Sequence, residues 1–378
     1  MRVVIAIDSF KGSLTSLEAG RAAEKGFLQV FPEGNAQIFP IADGGEGTVA
    51  ALVPGMGGRF EKVVVKDPLG RDIEAVYGIV GGTAIMEMSA AAGLPLLKKE
   101  ERNPMRTTTY GVGQMILDAA EKGCRDFLIG IGGSATNDCG VGMLQALGFS
   151  FQDENGEEVP CGAAGVGKIR QIQKDRGNPI LKECRFRIAC DVDNPLCGDR
   201  GCSAIYGPQK GADADCVREM DGYLSAFAAL CKKMYPDIDP DMPGAGAAGG
   251  LGFGFAAFLG GELTPGIQLV LDMLRLEDHI READVVVTGE GRLDYQTLMG
   301  KAPAGVAALA KKYAVPVIAL GGGIHESFRD WEHYGFTACA AAWYGQCSLQ
   351  EAMQKDNAKR LLEEAASNVF QSLKDGKI

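Results

Sequence analysis

Four apolar strand-like segments in this sequence run straight into glycine and charge, and that junction limits the fold more than any other feature. Val285-Val-Val-Thr-Gly-Glu-Gly-Arg-Leu-Asp294 is the clearest. Its β-branched start predicts a buried strand, and its two glycines predict a turn carrying Glu290, Arg292 and Asp294. Gly300-Lys301-Ala302-Pro303 then opens a helix. The design recurs at Val3-Val-Ile-Ala-Ile-Asp8-Ser-Phe-Lys11, at Phe39-Pro-Ile-Ala-Asp43-Gly-Gly-Glu46-Gly-Thr48, and at Phe127-Leu-Ile-Gly-Ile-Gly132-Gly-Ser134-Ala-Thr136-Asn-Asp138. Buried strands ending in polar glycine loops ahead of helices build α/β sheets, and ligands gather at the carboxyl ends of such strands. The pattern predicts an enzyme.

A chain of 378 residues exceeds the usual single core, so two domains are expected. Gly is the compositional outlier at 53 residues, about twice average usage, and it clusters at strand–helix junctions rather than in a repeat. A net charge of −11 argues against a nucleic-acid binder, although local Lys and Arg still allow an anionic substrate. The N-terminus already reads as a strand, so no signal peptide is expected, and no uncharged apolar run reaches membrane-spanning length. The 11 cysteines contain no C-x-x-C pair and read as reduced thiols of a cytoplasmic protein. Cys197 and Cys202 lack a flanking His, which argues against zinc.

Residues 1–53 read as strand, helix, strand, helix. After Gly55 the texture changes. Phe60–Lys66 and Ile73–Val80, joined through Asp67-Pro-Leu-Gly70, predict a hairpin, followed by a strand at Thr83–Met88 and a helix over Thr109–Lys122. A strand at Asp126–Ile131 leads to the Gly132 loop and a helix at 139–147. Residues 150–183 are polar and read as a surface excursion. Arg185–Cys190 is a strand, helices follow at about 213–234, and Gln268–Arg281 reads as one amphipathic helix. From 285 the α/β rhythm returns: strands at 285–288, 315–320 and 336–342, with helices at 303–313 and 349–373. The expected architecture is one open parallel-sheet domain built from residues 1–55 and 284–378, with a second α/β domain inserted at 56–283.

Several constellations carry chemistry. No Walker A loop is present, because Lys301 is followed by Ala. Gly130-x-Gly132-Gly133-Ser134-Ala-Thr136 follows a strand and opens a helix, which suits an oxyanion or phosphate. Gly244-x-Gly246-x-x-Gly249-Gly250 lacks a preceding strand, so it reads as a phosphate nest or as close helix packing rather than a dinucleotide fingerprint. Asp191 and Asp193 end a strand two residues apart and suit Mg²⁺ or general-base work, with turn formation before Pro195 as the alternative. Asp8 with Lys11, and Asp43 with Glu46, end neighbouring strands and suit metal and phosphate chemistry, or a plain ion-pair cluster. Arg106, ahead of three threonines, can clamp a carboxylate or phosphate, while the threonines can be a helix cap. His325 is the one histidine at a strand end.

These motifs in this order resemble the bacterial glycerate kinases of the type I family. The likeness rests on Asp8-Ser-Phe-Lys-Gly-Ser, Ala42-Asp-Gly-Gly-Glu-Gly-Thr48, Asp67-Pro-Leu-Gly-Arg71 and Gly132-Gly-Ser-Ala-Thr-Asn-Asp138. It continues through Cys190-Asp-Val-Asp-Asn-Pro-Leu196, Gly207-Pro-Gln-Lys-Gly-Ala212, Gly244-Ala-Gly-Ala-Ala-Gly-Gly250 and Gly289-Glu-Gly-Arg-Leu-Asp294. Ala341-Ala-Trp-Tyr-Gly-Gln-Cys347 departs from the expected pattern. The resemblance implies a flavodoxin-like open parallel sheet domain with an inserted restriction-endonuclease-like α/β domain. It also implies phosphorylation of D-glycerate by ATP with Mg²⁺, the 2-phosphate being favoured over the 3-phosphate. A kinase for another small hydroxy or sugar acid, and a non-catalytic small-acid-binding protein, are the alternatives, and a homodimer is left open.

With that implication, the expected catalytic residues are Asp191 as base, with Lys11 and Arg292 offsetting phosphate charge. Substrate contacts are expected from Arg106, Asp8, Ser9, Asn194, Glu290 and Asp294. ATP phosphates are expected on Gly132, Gly133, Ser134 and Thr136 and on Gly246, Gly249 and Gly250. Mg²⁺ is expected at Asp43, Glu46 and Asp193.

Overall fold

A computed structural model describes residues 1–173 and 176–378. Thirteen strands occur among these residues: β1 (Arg2–Ile7), β2 (Asn35–Ile38), β3 (Arg59–Lys66), β4 (Asp72–Val80), β5 (Thr83–Glu87), β6 (Asp126–Gly130), β7 (Ser150–Gln152), β8 (Gln171–Gln173), β9 (Arg185–Ala189), β10 (Glu262–Thr264), β11 (Val285–Leu293), β12 (Val317–Ile324) and β13 (Ala338–Ala341). The chain divides into two compact units. One comprises 1–43, 50–56 and 267–378, and the other comprises 44–49 and 57–266.

The first unit holds an all-parallel sheet in the order β13-β12-β11-β1-β2. Counted within the unit this is the 2-1-3-4-5 order of flavodoxin-like sheets, with a topological switch between β1 and β11. Five of the six β1 residues are buried, as expected where helices cover both faces. The helix Ser16–Val30 starts on a capping box in which Thr15 accepts from the Glu18 N–H and Glu18 accepts from the Thr15 N–H. It packs on the terminal helix Lys355–Lys374, where a Cβ on Gly26 would lie 2.4 Å from the Glu363 carbonyl oxygen.

The second unit holds a six-stranded mixed sheet, β10-β9-β6-β5-β4-β3. The hairpin β3–β4 is antiparallel, and β5, β6, β9 and β10 run parallel. Asp67 pins the hairpin turn: it is 1% exposed and accepts from the Leu69 and Arg71 N–H groups and from Arg71 Nε. In its core Phe127 stacks on Phe186, and Phe255 packs tilted against Phe186.

Four local expectations differ from the structure. The turn expected at 289–293 is strand: Glu290 pairs with Gly321, Arg292 with Gly323 and Leu293 with Ile324. Two facing glycine-bearing strands approach too closely for side chains there; a Cβ on Gly289 would sit 2.0 Å from the Leu320 carbonyl oxygen. The single helix expected at Gln268–Arg281 is two, Gly266–Met273 and Leu276–Ile280, broken where Arg275 takes φ 50°. Residues 267–283 group with the first unit, whereas the inserted domain was expected to run to 283. His279 there stacks on Phe39 and bonds Gln37. The stretch 150–183 is no mere surface excursion. β7 and β8 pair as a two-stranded antiparallel sheet, and Phe151, Val159, Val166 and Ile169 are buried in the second unit's core. Its residues 174 and 175 lie outside the described residues.

Candidate active site

The first unit carries a cavity of about 770 Å³ at the carboxyl ends of β1, β11 and β12. The parallel register sets it up. Ile7 pairs with Gly289, so Asp8, just past β1, and Glu290, within β11, come side by side, and the Asp8 N–H donates to the Gly289 carbonyl at 2.9 Å. Period-two alternation then projects Glu290 and Arg292 from one face of β11, with Asp294 just past its end. Asp43, after β2, lines the same cavity. The wall opposite this polar group is apolar, formed by Phe10, Ile324, Trp343, Tyr344 and Met353.

The electrostatics follow from burial and crowding. Burial raises the Asp8 carboxyl to about 7, opposed by the Ser9 N–H bond and Lys11 and reinforced by Asp43 and Glu290. Burial also raises Glu290, opposed by a hydrogen bond from Thr297 and the charge of Lys301. Lys301 Nζ is 3.8 Å from Glu290, and Arg292 Nε is 4.0 Å from Asp294. Four carboxylates and three cations therefore share one concave site, and two of its acids, Asp8 and Glu290, ionise reluctantly. Such a site suits an anionic ligand arriving with a counter-cation.

The second unit carries the other polar loop. Gly132 and Gly133 are exposed after β6, while Ser134 and Thr136 are buried behind them. The three threonines are not a simple cap. Thr107 donates to the Ala135 carbonyl at 2.7 Å, and Asp138 accepts from the Thr109 N–H and hydroxyl at 2.8 and 2.9 Å. They hold the loop from within. Lys210, 1% exposed, donates to Ser134 Oγ at 2.8 Å and to the Thr136 carbonyl at 2.7 Å.

A match to the glycerate kinase family extends over residues 3–374. The chain belongs to that family. A curated glycerate kinase from Halalkalibacterium halodurans is 45% identical over 369 residues, 97% of each chain. A glycerate 2-kinase from Escherichia coli K12 is 45% identical over 357 residues, 94% of this chain and 93% of that protein. The crystal structure of a putative glycerate kinase 2 from Salmonella typhimurium LT2 superposes with a TM-score of 0.92 at 41% identity, covering 100% of this chain and 99% of that one.

Within this family member, the site residues expected from sequence fall into two groups. Asp8, Ser9, Lys11, Asp43, Glu290, Arg292 and Asp294 line the cavity of the first unit together. The rest lie in the second unit. Asp191 and Asp193 follow β9 but diverge: Asp191 Oδ1 accepts from the Gly266 N–H at 2.9 Å, and exposed Asp193 pairs with Arg200 at 3.3 Å. Glu46 is exposed. Asn194 is engaged structurally, accepting from the Tyr206 hydroxyl at 2.6 Å and donating to the Arg200 carbonyl. Arg106 is exposed, and no side-chain hydrogen bond or ion pair engages it among the described residues. Gly246, Gly249 and Gly250 face protein atoms. Cβ atoms there would sit 2.3 Å from the Pro195 oxygen, 2.0 Å from the Thr136 oxygen and 2.9 Å from Cys139 Sγ. That geometry is close packing, one of the two readings the sequence allowed.

Sequence reasoning missed Lys301, Thr297 and Lys210. Lys301 opens the helix after Asp294, but in sequence it carries no signal beyond a Walker lysine without its Ser or Thr. Lys210 stood inside Gly207-Pro-Gln-Lys-Gly-Ala212 with no periodic signal to mark it as buried. His325 does line the cavity, its Nδ1 2.8 Å from Ser327 Oγ.

Proposed function

We propose that this protein is an ATP-dependent phosphotransferase that moves the γ-phosphoryl group to a hydroxyl of D-glycerate. The observation that carries this reading is family membership along nearly the whole chain, with curated glycerate kinases of 42–48% identity. The cavity chemistry supports it. Phosphoryl transfer needs charge neutralisation, alignment and a proton acceptor more than covalent help. Lys11, Arg292 and Lys301 supply positive charge, and Asp8, half-buried at the cavity floor, supplies the acceptor. This assigns the base to Asp8 rather than to the more exposed Asp191. The unengaged guanidinium of Arg106 supports its role as the clamp on the glycerate carboxylate.

The residues fit Mg²⁺. Mg²⁺ takes hard oxygen donors, usually one or two carboxylates with phosphate oxygens and waters, rather than an all-protein cage. Among the described residues no group of three or more His, Cys, Asp or Glu is placed to form such a cage. Asp43 is the expected ligand that lines the cavity, and it would hold the ion. When bound, Mg²⁺ neutralises phosphate charge.

The favoured product is 2-phosphoglycerate, supported by the name of the Escherichia coli relative. The eight ordered motifs support the type I branch. ADP release measured with glycerate, lactate, tartronate and erythronate tests the reading. Turnover with glycerate foremost is expected; preference for another acid moves the substrate, and no ADP from any acid leaves a binding protein. Enolase coupled without a mutase then reads the regiochemistry, since only the 2-phosphate is consumed directly.

A further inference from the structure

Lys210 is a full positive charge in the interior of the second unit. The short turn Pro208–Lys210 delivers it, and Gly211 at φ 98° lets the chain pass within reach of the Arg102 carbonyl. Among the described residues no carboxylate lies within ion-pair distance of its Nζ. Its partners are two neutral oxygens, Ser134 Oγ and the Thr136 carbonyl. The Asp138 carboxylate acts on this charge only from beyond ion-pair distance, and a buried cation whose direct acceptors are all neutral is costly.

The bonding has a directional consequence. An ammonium group only donates. Ser134 Oγ therefore accepts from Lys210, and its own hydroxyl proton must go elsewhere. Among the described residues no acceptor takes that proton. The third Nζ proton of Lys210 is likewise uncommitted, and the buried Thr136 Oγ1 has no partner. Three unspent polar groups thus sit on or against the buried 134–136 segment that follows the exposed Gly132 and Gly133. Burial lowers the Lys210 ammonium to about 8, so it remains charged near neutrality.

We propose that Lys210 is a positioning residue for ATP: it fixes the Ser134 hydroxyl as a proton donor toward a phosphate on the 132–136 loop and supplies the buried charge opposite it. This rests on the proposed kinase reading and names the part of the loop that serves the nucleotide. Lys210 acts through Ser134 and touches no reacting atom.

The test is calorimetric binding of a non-hydrolysable ATP analogue with Mg²⁺, beside steady-state kinetics, on Ser134→Ala, Ser134→Thr, Lys210→Met and the double variant S134A/K210M. Losing one charge-assisted hydrogen bond is expected to weaken nucleotide binding about tenfold or more in Ser134→Ala. KM for D-glycerate should change less than about twofold, and Ser134→Thr should restore nucleotide affinity. Lys210→Met should match or exceed Ser134→Ala. The double variant should be no weaker than the weaker single, because the two act in series. Ser134→Ala keeps the Lys210 bond to the Thr136 carbonyl, so it remains informative if Lys210→Met does not fold. Unchanged nucleotide affinity in Ser134→Ala, additive losses in the double variant, or an equal rise in both KM values would each overturn the proposal. Wild-type protein that binds the analogue but phosphorylates no acid would instead sink the kinase reading, while the binding series still judges Lys210.

Discussion

The Thr297 hydroxyl donates to the Glu290 carboxylate across 2.7 Å and accepts from the Asp294 N–H at 3.0 Å. One oxygen thus joins β11, the helix cap at Asp294 and the floor of the cavity. Thr297 is fully buried and Glu290 is 9% exposed. Thr297→Val keeps the shape and strands both partners, which should cost about 1–3 kcal/mol of stability. It should also raise the Glu290 carboxyl further, because the Thr297 bond opposes the effect of burial more than the Lys301 charge does. Chemical denaturation of Thr297→Val and Thr297→Ser checks this. The serine variant should recover most of the loss, and equal losses in both would assign the effect to packing.

Asp8 predicts a pH-dependent stability in the protein without ATP or Mg²⁺. Its folded-state carboxyl is raised to about 7 from the ordinary aspartate value of 3.8. The unfolded chain releases this proton first as pH rises, so stability is greatest below the unfolded value and falls between about pH 4 and pH 7. The loss is at most about 4 kcal/mol at the upper end. Asp8→Asn cannot ionise. Its melting temperature should therefore gain on the wild type as pH rises from 4 to 8, with little difference at pH 4. A constant offset across that range would show that Asp8 titrates at its ordinary value.

The sheet of the first unit was legible because its three central strands, β1, β11 and β12, start as buried, plain apolar runs. The Thr15–Glu18 capping box and the Asp67 turn were equally local, so sequence placed them well. Glu290, Arg292 and Asp294 line one cavity, but not on the turn that their glycines suggest. Gly289 and Gly291 looked like turn residues, but they serve close strand pairing, and the side chains project from a strand face. No local pattern separates those two uses of glycine. The same ambiguity hid the packing role of Gly249. Lys210 was invisible because burial of a lysine depends on Ser134 and Thr136, more than seventy residues away.

The choice of base is decided kinetically. Asp8→Asn should lower kcat by at least about a hundredfold, with a smaller effect on KM for either substrate. Asp191→Asn, whose Oδ1 accepts the Gly266 N–H, should lower kcat less than about tenfold. Both variants should be assayed at saturating Mg²⁺ and ATP, with folding checked by circular dichroism. The opposite ranking would return the base to Asp191.

Two glycine-to-alanine changes should act with opposite sign. Gly249 has φ 70°, and a Cβ there would sit 2.0 Å from the Thr136 carbonyl oxygen, the same oxygen that accepts from Lys210. Gly249→Ala must move that loop or the helix Ala247–Leu259, because the clash is with backbone and cannot be relieved by a rotamer. Left-handed strain adds to it, so a loss of more than about 3 kcal/mol is expected, with weakened ATP binding in whatever fraction folds. Gly222 lies exposed within the helix Ala214–Met234, and a Cβ there would meet nothing within 4 Å. Gly222→Ala removes conformational freedom from the unfolded chain and should stabilise by about 0.5–1 kcal/mol. Denaturation midpoints of the two variants check both signs. A well-tolerated Gly249→Ala would show that the 136–139 and 248–250 segments are not locked together, and the packing account of the glycine-rich helix start would fail with it.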